Sequence, residues 1–166
     1  SALRALDAFM LTASRHDVAI VFTFFAFVPP MWGGSNPYLD PKATAAQKRF
    51  ITAIVGRYRA MTHVTWDLIN EPSFCSPDQL WLTRPNGDEH ERRRWATWLA
   101  SRYPAATPDE REATIQQLWR GAVGEGLGLP EAADFTDTNL FGNRRPLKAL
   151  DYRLFAQDMF REWVDE

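Results

Sequence analysis

The chain has 166 residues, 45% of them hydrophobic, with 19 Lys and Arg against 21 Asp and Glu. That describes a globular chain able to bury a core, and a formal charge of −2 leaves no basic footprint for nucleic acid. The single cysteine, Cys75, excludes an internal disulfide framework and leaves the redox compartment open. The longest apolar run, Val18 to Pro30, is too short to span a bilayer, so no membrane partner is expected.

Leu3, Leu6, Phe9, Met10 and Ala13 recur at helical spacing and predict an amphipathic helix over residues 2–15, with His16 at its end. Val18-Ala-Ile-Val-Phe-Thr-Phe-Phe follows, β-branched and aromatic without clean alternation. This predicts a strand covered on both faces, as in a parallel sheet. Pro29-Pro30 and Gly33-Gly34 end it in a loop through Trp32, Asn36-Pro37 and Tyr38. Thr44-Ala-Ala-Gln47 reads as a capping box. It opens a helix to about residue 60 whose buried stripe is Phe50, Ile51, Ile54, Val55 and Tyr58. A second strand begins beside His63, read as structural, and runs from Val64 to Ile69 directly into Asn70-Glu71-Pro72. Helix, strand, helix, strand is βα architecture, and residues 18–26 and 64–70 are expected to be neighbouring parallel strands.

Beyond Pro72 the regularity breaks. A charged stretch from Asp88 to Arg94, holding His90, leads into a helix with Trp95, Trp98, Leu99 and Tyr103. Thr107-Pro-Asp-Glu110 is a second capping box, with Pro at the first helical position, for a helix carrying Ile115, Leu118 and Trp119. A Gly-rich stretch follows, and a last helix over about residues 147–165 carries Leu150, Leu154, Phe155, Met159 and Trp163. Connections after a barrel strand usually take about 2–6 residues. Residues 75–145 are therefore an insertion, either a subdomain beside a site or a decoration covering surface.

The chemistry concentrates in Trp66-Asp67-Leu68-Ile69-Asn70-Glu71-Pro72. A carboxylic acid at the carboxyl end of a buried strand projects over the open top of a parallel barrel, where βα barrels keep their active sites. Glycoside hydrolysis needs one such group protonated to supply the leaving oxygen with a proton. The Asn70 amide can hydrogen-bond a sugar hydroxyl. Asp67, four residues before Glu71, shares its face of the strand. It either tunes the acid or is a structural hydrogen-bond partner. Trp32 and Tyr38 offer an aromatic platform or simple loop packing, and Phe74 and Cys75 follow the acid as lining or packing. No two His fall at ligand spacing on one helix, so no metal is assigned and no cofactor is called for. Seven Trp and eleven Phe suit core packing, sugar stacking, or both.

In these residues the chain resembles clan A of the glycoside hydrolases, the retaining (β/α)₈-barrel β-glycosidases. Cellulase-like members of family five are the general match over residues 1–72. Trp98-Leu99, Arg102-Tyr103, Trp119 and Leu150-Asp151-Tyr152 with Phe155 are similar, more loosely, to family forty-two β-galactosidases. The resemblance implies an α/β fold, part of a TIM barrel comprising about strands three and four with their helices, plus a mainly helical insertion. Its segments are residues 1–74 as partial barrel, 75–145 as insertion and 146–166 as a barrel helix. It implies Glu71 as general acid/base, Asn70 as ligand of the hydroxyl beside the anomeric carbon, and a β-linked carbohydrate as substrate. The nucleophile of the clan comes from the seventh strand, and a full barrel takes about 250 residues. The chain is therefore expected to be incomplete, inactive alone and prone to self-association. Two alternatives stay open: a non-catalytic carbohydrate-binding or regulatory half-barrel, and an unrelated α/β protein in which Asn-Glu-Pro is accidental.

Overall fold

The computed structural model describes residues 1–25, 38–70, 85–120, 126–131, 134 and 147–166. Among these, the order is α1 (Ala2–Arg15), β1 (Ile20–Phe25), α2 (Pro41–Tyr58), β2 (Val64–Ile69), α3 (Glu89–Arg102), α4 (Pro108–Leu118) and α5 (Leu147–Asp165). It is a mixed α/β chain in which two parallel strands alternate with helices. The chain divides into two compact units, Ser1–Phe27 with Ala45–Pro72, and Val28–Thr44 with Ser73–Glu166.

In the first unit β1 and β2 pair in parallel, with Ile20 opposite Val64, Thr23 opposite Asp67 and Phe25 opposite Ile69. The Ile20 N–H donates to the His63 carbonyl at 2.9 Å, which opens the ladder at its entry end. Even-numbered residues of both strands pack with the helices: Ile20, Phe22, Phe24, Val64, Trp66 and Leu68 join Met10, Ala13, Ile54 and Tyr58 in one cluster. Period-two alternation is what a pleated strand imposes. The expectation of two covered faces is corrected here, because Val21 is 70% exposed and Thr23 is exposed as well. The β-branched composition set the strand; among the described residues the helical cover lies mainly on the even-numbered face, with Phe25 at the strand end also packing on Phe50 of α2.

The stripe of α1 is narrower than its composition suggests. Leu6, Met10 and Ala13 stand at i, i+4 and i+7 and enter the cluster, whereas Leu3 and Phe9 stay exposed on the flank. The helix closes in a Schellman arrangement. The Val18 N–H reaches the Ala13 carbonyl at 3.0 Å and the Asp17 N–H the Ser14 carbonyl at 3.4 Å, with Asp17 at φ 54°. Asp7 is held from α2: the Arg57 guanidinium donates to both carboxylate oxygens, at 2.7 and 2.5 Å, and the Tyr58 hydroxyl donates at 2.8 Å.

The start of α2 corrects the Thr44 capping box. The helix begins at Pro41, and the Asp40 carboxylate accepts from the Lys42 N–H at 2.9 Å. Thr44 already lies inside, its hydroxyl donating to the Asp40 carbonyl at 3.1 Å. Asp then Pro at the first helical position is the stronger start signal.

The second unit is built on α3, α4 and α5. Leu39, Trp95, Leu99, Ile115, Trp119, Ala149, Tyr152, Phe155 and Met159 form its core. The Thr107 box on α4 closes reciprocally, Glu110 N–H to the Thr107 hydroxyl at 3.2 Å and Thr107 N–H to the Glu110 carboxylate at 3.3 Å. Leu150, predicted inside the stripe of α5, is 46% exposed, while Ala149 and Tyr152 on the adjacent face are buried.

Candidate active site

The carboxyl ends of β1 and β2 lie side by side, and the chain leaves β2 through Asn70. Its backbone N–H donates to the Phe25 carbonyl at 2.8 Å, extending the ladder one bond past Ile69. The Asn70 side chain belongs to an exposed residue, as a ligand of solvent or substrate must.

Two residues inward, on the odd-numbered face, the Thr23 hydroxyl donates to Asp67 Oδ2 at 2.9 Å. The two are register partners, so the bond spans neighbouring strands at one level of the sheet. A carboxylate oxygen engaged by a neutral donor keeps lone pairs free for a further partner. Asp67 is half-buried. Thr23 is the residue the sequence reading passed over. It sits two positions before the end of β1 as Asp67 does before the end of β2, and that equal offset was the available signal.

Glu71, Trp32, Phe74 and Cys75 lie outside the described residues. Tyr38 belongs to the second unit and is 7% exposed there. Its ring packs edge-on to Phe160 at 4.9 Å and against Trp163 at 5.3 Å between centroids. Burial pushes its phenol well above the usual range. The ring also lines a cleft of about 170 Å³ with His90, Arg94, Met159 and Glu162, where Arg94 and Glu162 form an ion pair.

Among the described residues no group of three or more His, Cys, Asp and Glu is placed to hold a metal ion. Nor, among them, is any helix long and apolar enough to cross a membrane. Compared with models of protein families, with curated proteins and with solved structures, the chain matches none.

Proposed function

We propose that this chain is part of a retaining glycoside hydrolase acting on β-linked glycans, with Glu71 as general acid/base and Asn70 as a ligand of the substrate hydroxyl beside the anomeric carbon. The observation that supports this most is the pairing of β1 with β2. Two parallel strands end together, and the exposed Asn70 leads the Asn-Glu-Pro run out of that shared end. In βα proteins this end of the sheet is where substrates are handled.

In this reading Glu71 protonates the glycosidic oxygen as the bond to the anomeric carbon breaks. A second carboxylate about 5 Å away attacks from the opposite side, and the proposal assigns it to a further βα unit. Glu71, now ionised, takes a proton from the water that releases the sugar. Thr23 and Asp67, paired on the odd-numbered face near that shared strand end, are proposed to tune the acid. Trp32 and Phe74 are proposed as aromatic walls for the sugar ring. Tyr38, buried against Phe160 and Trp163, has no place in this reading.

The direct test is to express the complete open reading frame that encodes this chain, supply an aryl β-glycoside and follow the first product by proton NMR. The proposal expects the β-anomer to appear first and to mutarotate afterwards. An α-anomer as first product would exclude retention. Absence of hydrolysis across β-glucosides, β-galactosides and β-mannosides, with glycan binding retained, would favour a non-catalytic carbohydrate-binding protein.

A further inference from the structure

The second unit carries a cleft of about 500 Å³ whose walls include Trp98, Ser101 and Arg102 of α3 and Gln157, Asp158 and Arg161 of α5. Small-ligand sites occupy about 300–1,000 Å³. The flat element of this one is Trp98, the end member of a row of three indoles. Trp98 stacks on Trp95 with centroids 5.4 Å apart and planes 8° apart, and Trp95 stacks on Trp119 at 5.9 Å and 10°. The Lys148 ammonium stands over the Trp119 ring at 5.5 Å.

Every indole N–H in the row is engaged. Trp98 donates to Asp158 Oδ2 at 2.8 Å, Trp95 to the Leu127 carbonyl at 3.0 Å and Trp119 to Asp151 Oδ2 at 2.8 Å. With its N–H tied and one face on Trp95, Trp98 has a fixed orientation before any ligand arrives. Little ordering entropy remains to be lost on binding. Core packing explains Trp95 and Trp119, which are 2% and 4% exposed. Trp98 packs on that core too, edge-on to Phe155 at 6.1 Å between centroids, yet it stays partly exposed and is bordered by two guanidiniums, a carboxylate, an amide and a hydroxyl.

We propose that this cleft is a carbohydrate-binding site, taking one pyranose unit of a glycan on the Trp98 ring. A pyranose has an apolar C–H face that matches an indole and a rim of hydroxyls that both donate and accept. Asp158 Oδ1 accepts, Arg102 and Arg161 donate, and Gln157 and Ser101 do both. Arg161 is held at the rim by an exposed 3.5 Å contact to Asp158, loose enough to exchange for a sugar hydroxyl. Two guanidiniums against one carboxylate would also suit a phosphate, so ATP is the competing ligand in the test. The site lies wholly within the second unit and does not depend on the Glu71 assignment.

The test is an NMR titration of the tryptophan indole N–H signals in the full chain with cellohexaose and mannohexaose. Concentrations should reach about 10 mM, where even a Kd of about 1 mM saturates. Saturable movement of the Trp98 signal is expected with at least one of them. Trp98→Ala should weaken that binding about tenfold or more, the size of one lost stacking partner. If circular dichroism shows that variant unfolded, Gln157→Ala and Arg161→Ala decide, since both change only the rim and should each weaken binding with the fold intact. Glu71→Gln should leave the Trp98 response unchanged, so failure of the catalytic reading and failure of this site are separate results. No saturable response to either glycan overturns the proposal. So does a response to ATP in their place, or unchanged affinity in all the folded cleft variants.

Discussion

Thr23 and Asp67 face each other across β1 and β2, hydroxyl to carboxylate at 2.9 Å, on a sheet face they share with Val21, Phe25, Thr65 and Ile69. Thr23→Val keeps the β-branched shape and deletes only the donor, so strand propensity is preserved. An exposed hydrogen bond of this kind is worth about 0.5–1.5 kcal/mol. Urea unfolding of Thr23→Val should show a loss in that range with unchanged m-value. A larger loss would mean that the hydroxyl holds more than Asp67.

Asp17 closes α1 in the left-handed region at φ 54°, a position where a Cβ is strained and glycine is the usual occupant. The two backbone bonds of the motif do not involve its side chain. Asp17→Gly should therefore stabilise the chain by about 0.5–1 kcal/mol, the gain from relieved strain being partly offset by the freer unfolded state. Thermal melting checks the sign, which distinguishes this position from an ordinary loop aspartate.

Two carboxylates give stability opposite slopes with pH. The Arg57 guanidinium and the Tyr58 hydroxyl hydrogen-bonding to Asp7 hold its carboxyl down at about 2, below the ordinary 3.8. A depressed folded pKa means that the unfolded chain binds the proton more readily. The contribution of Asp7 is thus complete above about pH 4 and is lost as pH falls towards about 2. Asp7→Asn should remove that acid-side slope from melting curves recorded between those limits.

Glu91 behaves in the reverse sense. It is fully buried, accepts from the Gly87 N–H at 2.6 Å and from the Tyr152 hydroxyl, and its burial pushes the carboxyl up against the opposing effect of those bonds. Asp88 nearby pushes it further up. With a raised folded pKa, its contribution is complete below the unfolded pKa of about 4.3 and is lost as pH rises through the folded value. Glu91→Gln keeps an acceptor for Gly87 and never ionises. Its melting temperature should gain on wild type as pH rises above about 4, and a parallel pH dependence in the two proteins would refute the burial argument.

The contrast between Asp7 and Glu91 marks what was legible in the sequence. The range of α1, the pairing of the strands, the Thr107 box and the range of α5 follow from local periodicity and capping, and the structure has them. Glu91 sits in a charged stretch, yet it lies four residues before Trp95 and so shares the buried face of α3. Periodicity carried that information and charge obscured it. The coverage of β1 was beyond local pattern, because which face a strand hides depends on where helices distant in sequence pack. For the same reason Tyr38 reads as a loop aromatic in the sequence, while its partners Phe160 and Trp163 stand on the last helix. Of the candidate site, the strand end that carries Asp67 and Asn70 was legible from the strand pattern, and the pairing of Asp67 with Thr23 required the register.

The acid/base proposal for Glu71 makes the sharpest demand, on the enzyme produced from the complete reading frame. Glu71→Gln keeps the shape of the side chain and removes its proton, so general acid catalysis worth about 10²–10⁴-fold should vanish for a natural glycan. An aryl glycoside whose phenol is acidic leaves with little protonation, so its glycosylation step should suffer far less. Deglycosylation still needs a base, so the glycosyl-enzyme should accumulate, and azide, which needs none, should restore turnover and yield a glycosyl azide. Asn70→Ala should instead weaken transition-state binding for both substrates alike, with no response to azide. The deciding quantities are kcat/KM, which reports glycosylation, for both substrates in each variant, and kcat with and without azide, which reports deglycosylation. A Glu71→Gln enzyme with wild-type kcat/KM on the natural glycan would remove Glu71 from the chemistry, because no other effect of the substitution spares a poor leaving group.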